Sequence, residues 1–103
     1  MNKLDVTYVR IYLTEGQGSM EELLRRLHDE EKVQGVTVFR GISGFGKSGT
    51  LHSSSLRDMS LDRPLVIEFF DVPEQVKNSL EHMRHPVEHG RIGRWEAGRE
   101  VER

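Results

Sequence analysis

Two groups of side chains in this sequence have types and spacings that could support chemistry. The stretch GISGFGKSG, Gly41 to Gly49, fits the pattern Gly-x-x-x-x-Gly-Lys-Ser of a phosphate-binding P-loop. His82, His85 and His89 are spaced at i, i+3 and i+7, which would place three imidazoles on one helix face as ligands for zinc, copper or nickel. Each pattern predicts a site only if the surrounding elements position it.

The P-loop interpretation fails on its context. In a P-loop, aligned backbone N–H groups at the start of a helix do most of the phosphate binding. Here Lys47 and Ser48 run into GTLHSSS, which is a poor start for a helix, and the remaining chain is too short for a doubly wound nucleotide fold. The loop can still bind an anion, because Gly44 and Gly46 allow a close backbone approach and Lys47 supplies a point charge. The alternative is a flexible loop with an incidental lysine.

The histidine pattern is interrupted. Pro86 lies inside the spacing and lacks the N–H that would bond back to His82, so the helix kinks or ends there. We therefore expect a solvated helix end and no metal site. The serines and histidines have no placed acid that would complete a nucleophilic triad, so we expect a protein without catalytic activity.

Composition sets further limits. A chain of 103 residues with 35% hydrophobic and 31% charged residues is expected to form one soluble globular domain over residues 1–103. The net charge of −2 gives no general attraction to nucleic acid or to an anionic membrane. The absence of cysteine excludes a cysteine-based zinc site or nucleophile. The start of the sequence lacks a signal-peptide core, and no apolar run approaches the ~20 residues of a membrane helix, so we expect a cytoplasmic protein without membrane insertion.

Hydrophobic periodicity predicts elements in the order β-α-β-β-α-β. The predicted strands are Val6 to Thr14, Val36 to Ile42, Pro64 to Asp71 and, weakly, Arg91 to Gly98. The first helix is predicted from a capping box at Ser19 to near Gly35, and the second from the capping residue Asp71 to about Pro86. A loop of about twenty residues, 43–63, is long enough to indicate a function.

Two β-α-β halves predict an α+β, ferredoxin-like βαββαβ sandwich, with a four-stranded antiparallel sheet and both helices on one face. The other face would be uncovered, and alternation places on it the residues Tyr8, Arg10, Tyr12, Val66, Glu68 and Phe70. The first and third strands are neighbours in this topology, so Arg10 and Glu68 are expected to pair. A subunit contact is expected to cover this face, and aromatic residues packed loosely on a wet sheet are the alternative.

The stretch VTVFRGISGFGKSGTLHSSSL contains Arg40-Gly41, Gly44-Phe45-Gly46 and Leu51-His52-Ser53 in sequence. Together with DRPLVIEFFDVPEQV and with VRIYLTEGQG followed by MEELLRRL, it resembles the family called domain of unknown function 190, over roughly Val6 to Trp95. That family is grouped with the PII-like signalling proteins, which are trimers of ferredoxin-like subunits. The resemblance implies a homotrimer.

The resemblance also implies a ligand site. Gly44-Phe45-Gly46-Lys47 resembles the start of the PII T-loop, whose glycines approach a bound adenine nucleotide. GRIG, from Gly90 to Gly93, resembles the GKIG of the PII B-loop, which wraps the phosphates, with Arg91 in the place of the lysine. His52 could bond a phosphate or orient the loop. The ligand-binding residues so implied are Arg40, Gly41, Gly44, Phe45, Gly46, Lys47, His52, Gly90, Arg91, Ile92 and Gly93.

The implied effector is ATP, ADP, AMP or a cyclic nucleotide, and no cofactor is required. The sequence departs from PII proteins at Arg94, where they have an acidic residue, so their phosphate and magnesium arrangement is not implied. Residues 43–63 contain no tyrosine that could accept a uridylyl group.

Three functions remain open. The first is a trimeric sensor that binds the effector at intersubunit clefts and switches the T-loop-like segment 43–63 against a partner protein, such as a membrane transporter or an enzyme. The second is an RNA-binding module similar to the RRM, because SGFGKSG resembles its aromatic-glycine motif and the open sheet carries aromatic residues. The acidic pI of about 6.2 and a central Glu68 oppose that interpretation, and we expect no nucleic-acid partner. The third is a trimeric scaffold that binds no small molecule.

Overall fold

A computed structural model of the chain describes residues 2–14, 20–45, 52–53, 64–83 and 91–102. The elements are β1 (Asn2–Thr14), α1 (Met20–Arg25) with a π-helical turn (Arg26–Glu30), β2 (Gly35–Arg40), β3 (Ser43–Gly44), β4 (His52–Ser53), β5 (Pro64–Asp71), α2 (Pro73–Met83) and β6 (Ile92–Val101). An antiparallel sheet in the order β2-β5-β1-β6 and two helices form the predicted ferredoxin-like fold. β3 and β4 pair as a separate ribbon within the predicted long loop.

The core lies between one face of the sheet and the two helices. The alternation of β1 buries Val9 and Ile11 completely, while Tyr12 between Ile11 and Leu13 faces the other side and stays exposed. The buried core side chains are Val9, Ile11, Leu13, Leu23, Leu27, Leu65, Ile67, Phe69, Val76 and Met83. Each such apolar side chain contributes about 1.5–3 kcal/mol by leaving water, so this single layer of packing holds the helices to the sheet.

Two strands are longer than the sequence predicts. β1 begins at Asn2 instead of Val6, and β6 extends to Val101 instead of Gly98. These two extensions pair with each other, since the ladder between the strands runs from Asn2 opposite Val101 to Ile11 opposite Ile92. Backbone hydrogen bonding along this ladder overrides the weak strand propensity of the polar and glycine-containing ends.

The first helix ends earlier than predicted, at Glu30 instead of near Gly35. The N–H of Glu31 donates to the carbonyl of Arg26 at 2.8 Å, five residues back, which closes the π-helical turn. Lys32 then takes a left-handed backbone conformation with φ of 52°, which turns the chain toward β2. None of the helices in the described ranges is long and apolar enough to cross a membrane.

Asp71 ties this connection to the second half of the domain. Its carboxylate, which is buried, accepts the Gln34 backbone N–H at 3.2 Å and the Gln34 side-chain amide at 3.1 Å. The same carboxylate accepts the Val72 N–H at 2.7 Å. The predicted capping residue of α2 therefore also fixes the chain just before β2.

The left-handed residue generates the first prediction. Lys32→Gly should stabilise the fold by about 1 kcal/mol, because a left-handed conformation is strained for residues with a Cβ and unstrained for glycine. Urea unfolding measures the change. Lys77→Gly is the matched control: Lys77 is exposed in the middle of α2, where glycine should cost about 1 kcal/mol. Equal destabilisation by both substitutions would contradict the assignment of strain to Lys32.

Candidate functional site

The long loop leaves the sheet at the end of β2. The Gly41 N–H donates to the Pro64 carbonyl at 2.7 Å, directly after the pair formed by Arg40 and Leu65. A Cβ on Gly41 would lie 2.7 Å from Pro64 Cγ, so a larger residue cannot fit without displacement. Gly41 is therefore a structural glycine that lets the two ends of the loop approach each other.

The β3–β4 ribbon brings together two of the predicted ligand residues. Gly44 lies opposite His52, and Ser43 lies opposite Ser53. Phe45 follows Gly44 and is 72% exposed. The predicted ligand residues Gly46 and Lys47 fall outside the described residues. The base of the loop is thus a short ribbon that presents an exposed aromatic side chain.

The second predicted ligand-binding loop, the segment GRIG, continues into the start of β6. Arg91 donates from a guanidinium nitrogen to the Tyr12 carbonyl at 3.2 Å, which holds it against the end of β1. Ile92 lies opposite Ile11 and packs against the core, so its backbone is the part available to a ligand. Gly93 lies opposite Arg10 on the uncovered face, and a Cβ there would meet nothing within 4 Å. Gly90 falls outside the described residues.

Both loops lie at the same end of the sheet. Arg40 is level with Leu65, Leu65 is level with Leu13, and Arg91 is bonded to the neighbouring Tyr12. However, β2 and β6 are the two opposite edges of the sheet, three strand spacings or about 14 Å apart. The strand ends that carry the two loops are therefore separated by the width of the sheet within one chain.

The uncovered face carries the ion pair that the sequence predicts. Arg10 and Glu68 lie opposite each other, and Arg10 Nε donates to Glu68 Oε1 at 2.8 Å. The hydrogen bond that Arg10 donates to Glu68 raises the pKa of Arg10, with a smaller contribution from a hydrogen bond to Tyr12, so the guanidinium stays charged. It lies 5.9 Å from the ring centre of Phe39 and 5.5 Å from that of Trp95. This prediction is confirmed.

The aromatic residues on this face form one cluster. The Tyr8 ring is 5.4 Å from Phe70 and stacks on Trp95 at 5.6 Å. Arg99 lies 4.0 Å from the centre of the Phe70 ring and donates to the Tyr8 hydroxyl at 2.6 Å. The sequence does not predict the contributions of Trp95 and Arg99. They follow only from the register of β6 against β1, in which Trp95 falls opposite Tyr8.

Of the three spaced histidines, the structure describes one. His82 lies at the end of α2, with Nδ1 3.1 Å from a carboxylate oxygen of Glu31. His85 and His89 fall outside the described residues. Within the described ranges, no group of three histidine, aspartate or glutamate side chains could hold a metal ion.

Solved structures with the same fold include PII-like proteins and CutA1 proteins. CPII from Thiomonas intermedia K12, bound to ADP and bicarbonate, superposes with a TM-score of 0.67 at 24% identity, covering 99% of this chain and 93% of that one. A putative PII-like signalling protein from Thermus thermophilus gives a TM-score of 0.56 at 18% identity, covering 98% and 93%. At these identities the likeness establishes the fold.

The sequence comparison establishes the family. Residues 6–98 match the model of domain of unknown function 190, described as uncharacterised ACR. A UPF0166 protein from Aquifex aeolicus is 34% identical over 70 residues, which cover 68% of this chain and 66% of that protein. The chain belongs to the domain of unknown function 190 family, as its sequence motifs predict.

The glycines generate the second prediction. Gly41→Ala should destabilise the fold by about 1–3 kcal/mol, because the added methyl group collides with the Pro64 ring. Gly93→Ala should change the free energy of unfolding by less than about 0.5 kcal/mol, because its position is open. Chemical denaturation of the two variants side by side measures the difference. A larger loss for Gly93→Ala would contradict the placement of both glycines.

Proposed function

We propose that this protein is a non-catalytic, trimeric PII-like signalling protein whose intersubunit clefts bind an adenine nucleotide or a related phosphorylated effector. The observation that carries the proposal is the position of its two glycine-bearing loops, which flank one end of the sheet from opposite edges. Arg91 supplies a guanidinium at one loop, and Lys47 supplies an ammonium at the other. The structures of CPII with ADP and bicarbonate support the proposal by analogy of fold.

The residue types at the two loops favour a nucleotide over inorganic phosphate. A base and a phosphate chain are separate recognition elements, which residues of different loops in one copy or in adjacent copies can contact. Phosphate groups bind well to backbone N–H groups that glycine leaves accessible, and an arginine adds paired charged hydrogen bonds. The exposed ring of Phe45 offers a surface on which a base could stack.

The uncovered sheet face supports assembly. Tyr12, Phe39 and Trp95 are 48%, 45% and 43% exposed on it. The central ion pair of Arg10 and Glu68 is already neutral, so the centre of the face can be buried without leaving either of these two charges unpaired. A homotrimer that turns these faces inward would remove the aromatic side chains from water and would bring the sheet ends of adjacent copies together.

The long loop supplies the readout. Effector binding at Gly44, Gly46 and Lys47 would switch the conformation of the segment 43–63 and present it to a regulated partner protein, such as a transporter or an enzyme. Binding energy that differs between two conformations of the segment is sufficient for such a switch, and no covalent bond need be broken.

The third prediction tests the effector. ATP, ADP, AMP and cyclic AMP are titrated into the protein by isothermal calorimetry and thermal shift. At one hundred times its dissociation constant, the cognate nucleotide should stabilise the fold by about 2.7 kcal/mol. Arg91→Gln should weaken binding at least tenfold because a charged contact to phosphate is lost. Lys77→Gln, which removes an exposed cation from α2, is the matched control and should bind normally.

Absence of heat and of stabilisation with all four nucleotides would overturn the effector proposal. If the protein remained trimeric in that case, the scaffold function would be favoured.

The fourth prediction tests the assembly. Sedimentation should give about 36 kDa, three times the 11.9 kDa of one chain. Trp95→Glu places a charge in the aromatic cluster of the proposed contact and should give monomers that bind the effector at least tenfold more weakly. Asn78→Glu adds the same charge on the exposed side of α2 and should leave both properties unchanged. A monomeric parent protein, or full effector affinity in monomeric Trp95→Glu, would contradict intersubunit clefts.

One structural observation weakens the sequence-based argument against the RNA-binding alternative. Glu68 is neutralised by Arg10, so the uncovered face presents stacked aromatic rings together with Arg99. Aromatic rings on a four-stranded sheet can stack on unpaired bases. Filter binding of single-stranded RNA at low salt separates the two functions, since tight retention that Tyr8→Ala and Trp95→Ala abolish would favour the RNA-binding module.

A further inference from the structure

The exposed apolar side chains of this protein are concentrated at the loop end of the sheet, where β2 ends and β6 begins. Five large apolar side chains are exposed in the described part of the chain, and the four at this end are Tyr12, Phe39, Ile42 and Phe45. Tyr12 and Phe39 lie on either side of Val66 in the strand register. The fifth, Trp95, lies opposite Tyr8, four residues from Tyr12 along β1. Single apolar side chains scattered over a surface are ordinary, but a concentration of them beside a proposed ligand site indicates a binding surface.

Ile42 is the most exposed of these side chains, at 80%, and it lies outside the sheet. The sequence predicts a strand through Ile42, but β2 ends at Arg40. On one side of Ile42, the Gly41 N–H is bonded to the Pro64 carbonyl. On the other side, Ser43 begins the β3–β4 ribbon. The backbone on both sides of Ile42 is therefore fixed by pairing, so the exposure of its side chain is a feature of the folded base of the loop.

The position of Ile42 in the chain places it among the proposed effector contacts. Arg40 and Gly41 precede it directly, and Gly44 and Phe45 follow it within three residues. These neighbours supply a charge, accessible backbone and an aromatic ring. The motifs that identify them do not identify Ile42, because an isoleucine is not part of any phosphate-binding pattern. Its exposure in the structure is the signal that adds it to the site.

The chemistry of an isoleucine side chain suits one part of a nucleotide. Phosphate groups bind to charged groups and N–H donors, whereas Ile42 gains free energy only when apolar surface covers it. A nucleobase has such a surface on both faces of its ring. Inorganic phosphates and sugar phosphates have no equivalent surface. An isoleucine at this position therefore distinguishes a nucleotide from its phosphate groups alone.

We propose that Ile42 is a specificity-determining residue of the effector site, where its side chain packs against the base of the bound nucleotide. The base then contributes to affinity separately from the phosphates, and phosphorylated compounds without a base are poor effectors. This inference rests on the proposed effector function and narrows its ligand class to intact nucleotides.

Isothermal calorimetry on the full chain tests the contact with two probes. One is the tightest-binding of ATP, ADP, AMP and cyclic AMP. The other is its counterpart without a base: tripolyphosphate for ATP, pyrophosphate for ADP and ribose 5-phosphate for the other two. Ile42→Ala should weaken nucleotide binding at least about fivefold, because apolar surface is lost from the contact. Its affinity for the base-free counterpart should equal that of the parent protein.

Three controls separate a base contact from an indirect effect. Ile42→Leu keeps the apolar surface and should bind the nucleotide as the parent does. Val72→Ala shortens an aliphatic side chain at the opposite end of the sheet, just before α2, and should also bind normally. Sedimentation of Ile42→Ala should match that of the parent. A change of assembly would place Ile42 in a contact between copies and overturn the proposal.

The outcomes distinguish this inference from the function on which it rests. Unchanged nucleotide affinity in Ile42→Ala would overturn the base contact and leave the effector function intact. Equal losses of affinity for the nucleotide and for its base-free counterpart would have the same meaning. If the parent protein bound none of the four nucleotides, the effector function and the base contact would both be wrong.

Discussion

The pairing of β1 on both sides is the constraint from which the rest of this structure follows. β1 is thirteen residues long and hydrogen-bonds to β5 along one edge and to β6 along the other. This central position fixes β2 and β6 as the outer strands. It also decides that the strand ends from which the two glycine-bearing loops leave lie at one end of the sheet, on its opposite edges.

The two faces of the sheet differ in how completely their side chains are buried. On the helical side, the central apolar side chains are fully buried within the chain, and residues such as Ile67 and Phe69 have no contact with water. On the other side, the aromatic rings are only partly covered by one another and by Arg10 and Arg99. Cation–π contacts keep these guanidinium groups against the rings while they remain partly hydrated. A face organised in this way can exist in water and still gain free energy when another surface covers it.

The sequence contains enough information to predict the centre of the fold but not its margins. Alternation with a period of two identifies the inward residues of β1 and β5, and the β-α-β-β-α-β order makes the two strands neighbours, so the pairing of Arg10 with Glu68 can be predicted before any coordinates are known. The full length of β6 cannot be predicted from the sequence, because Gly93, Gly98 and their charged neighbours have weak strand propensity. They form a strand since β1 supplies a pairing partner. The helix end at Glu30 cannot be predicted either, because neither glycine nor proline marks it and a π-helical turn ends it instead.

The candidate site, like the fold, can be predicted only in part. Sequence motifs locate its glycines, but the role of each glycine depends on contacts with residues that are distant in the sequence. Gly41 is required by the ring of Pro64, twenty-three positions later, which closes the loop at its base. Gly93 has no such neighbour in the described part of the chain and lies in an open part of the uncovered face. A glycine that no internal contact requires leaves the backbone of its strand open to close approach by a ligand. In the proposed function that ligand is the effector held between copies. The first residues of β6 therefore belong both to the sheet of one chain and to the proposed effector site.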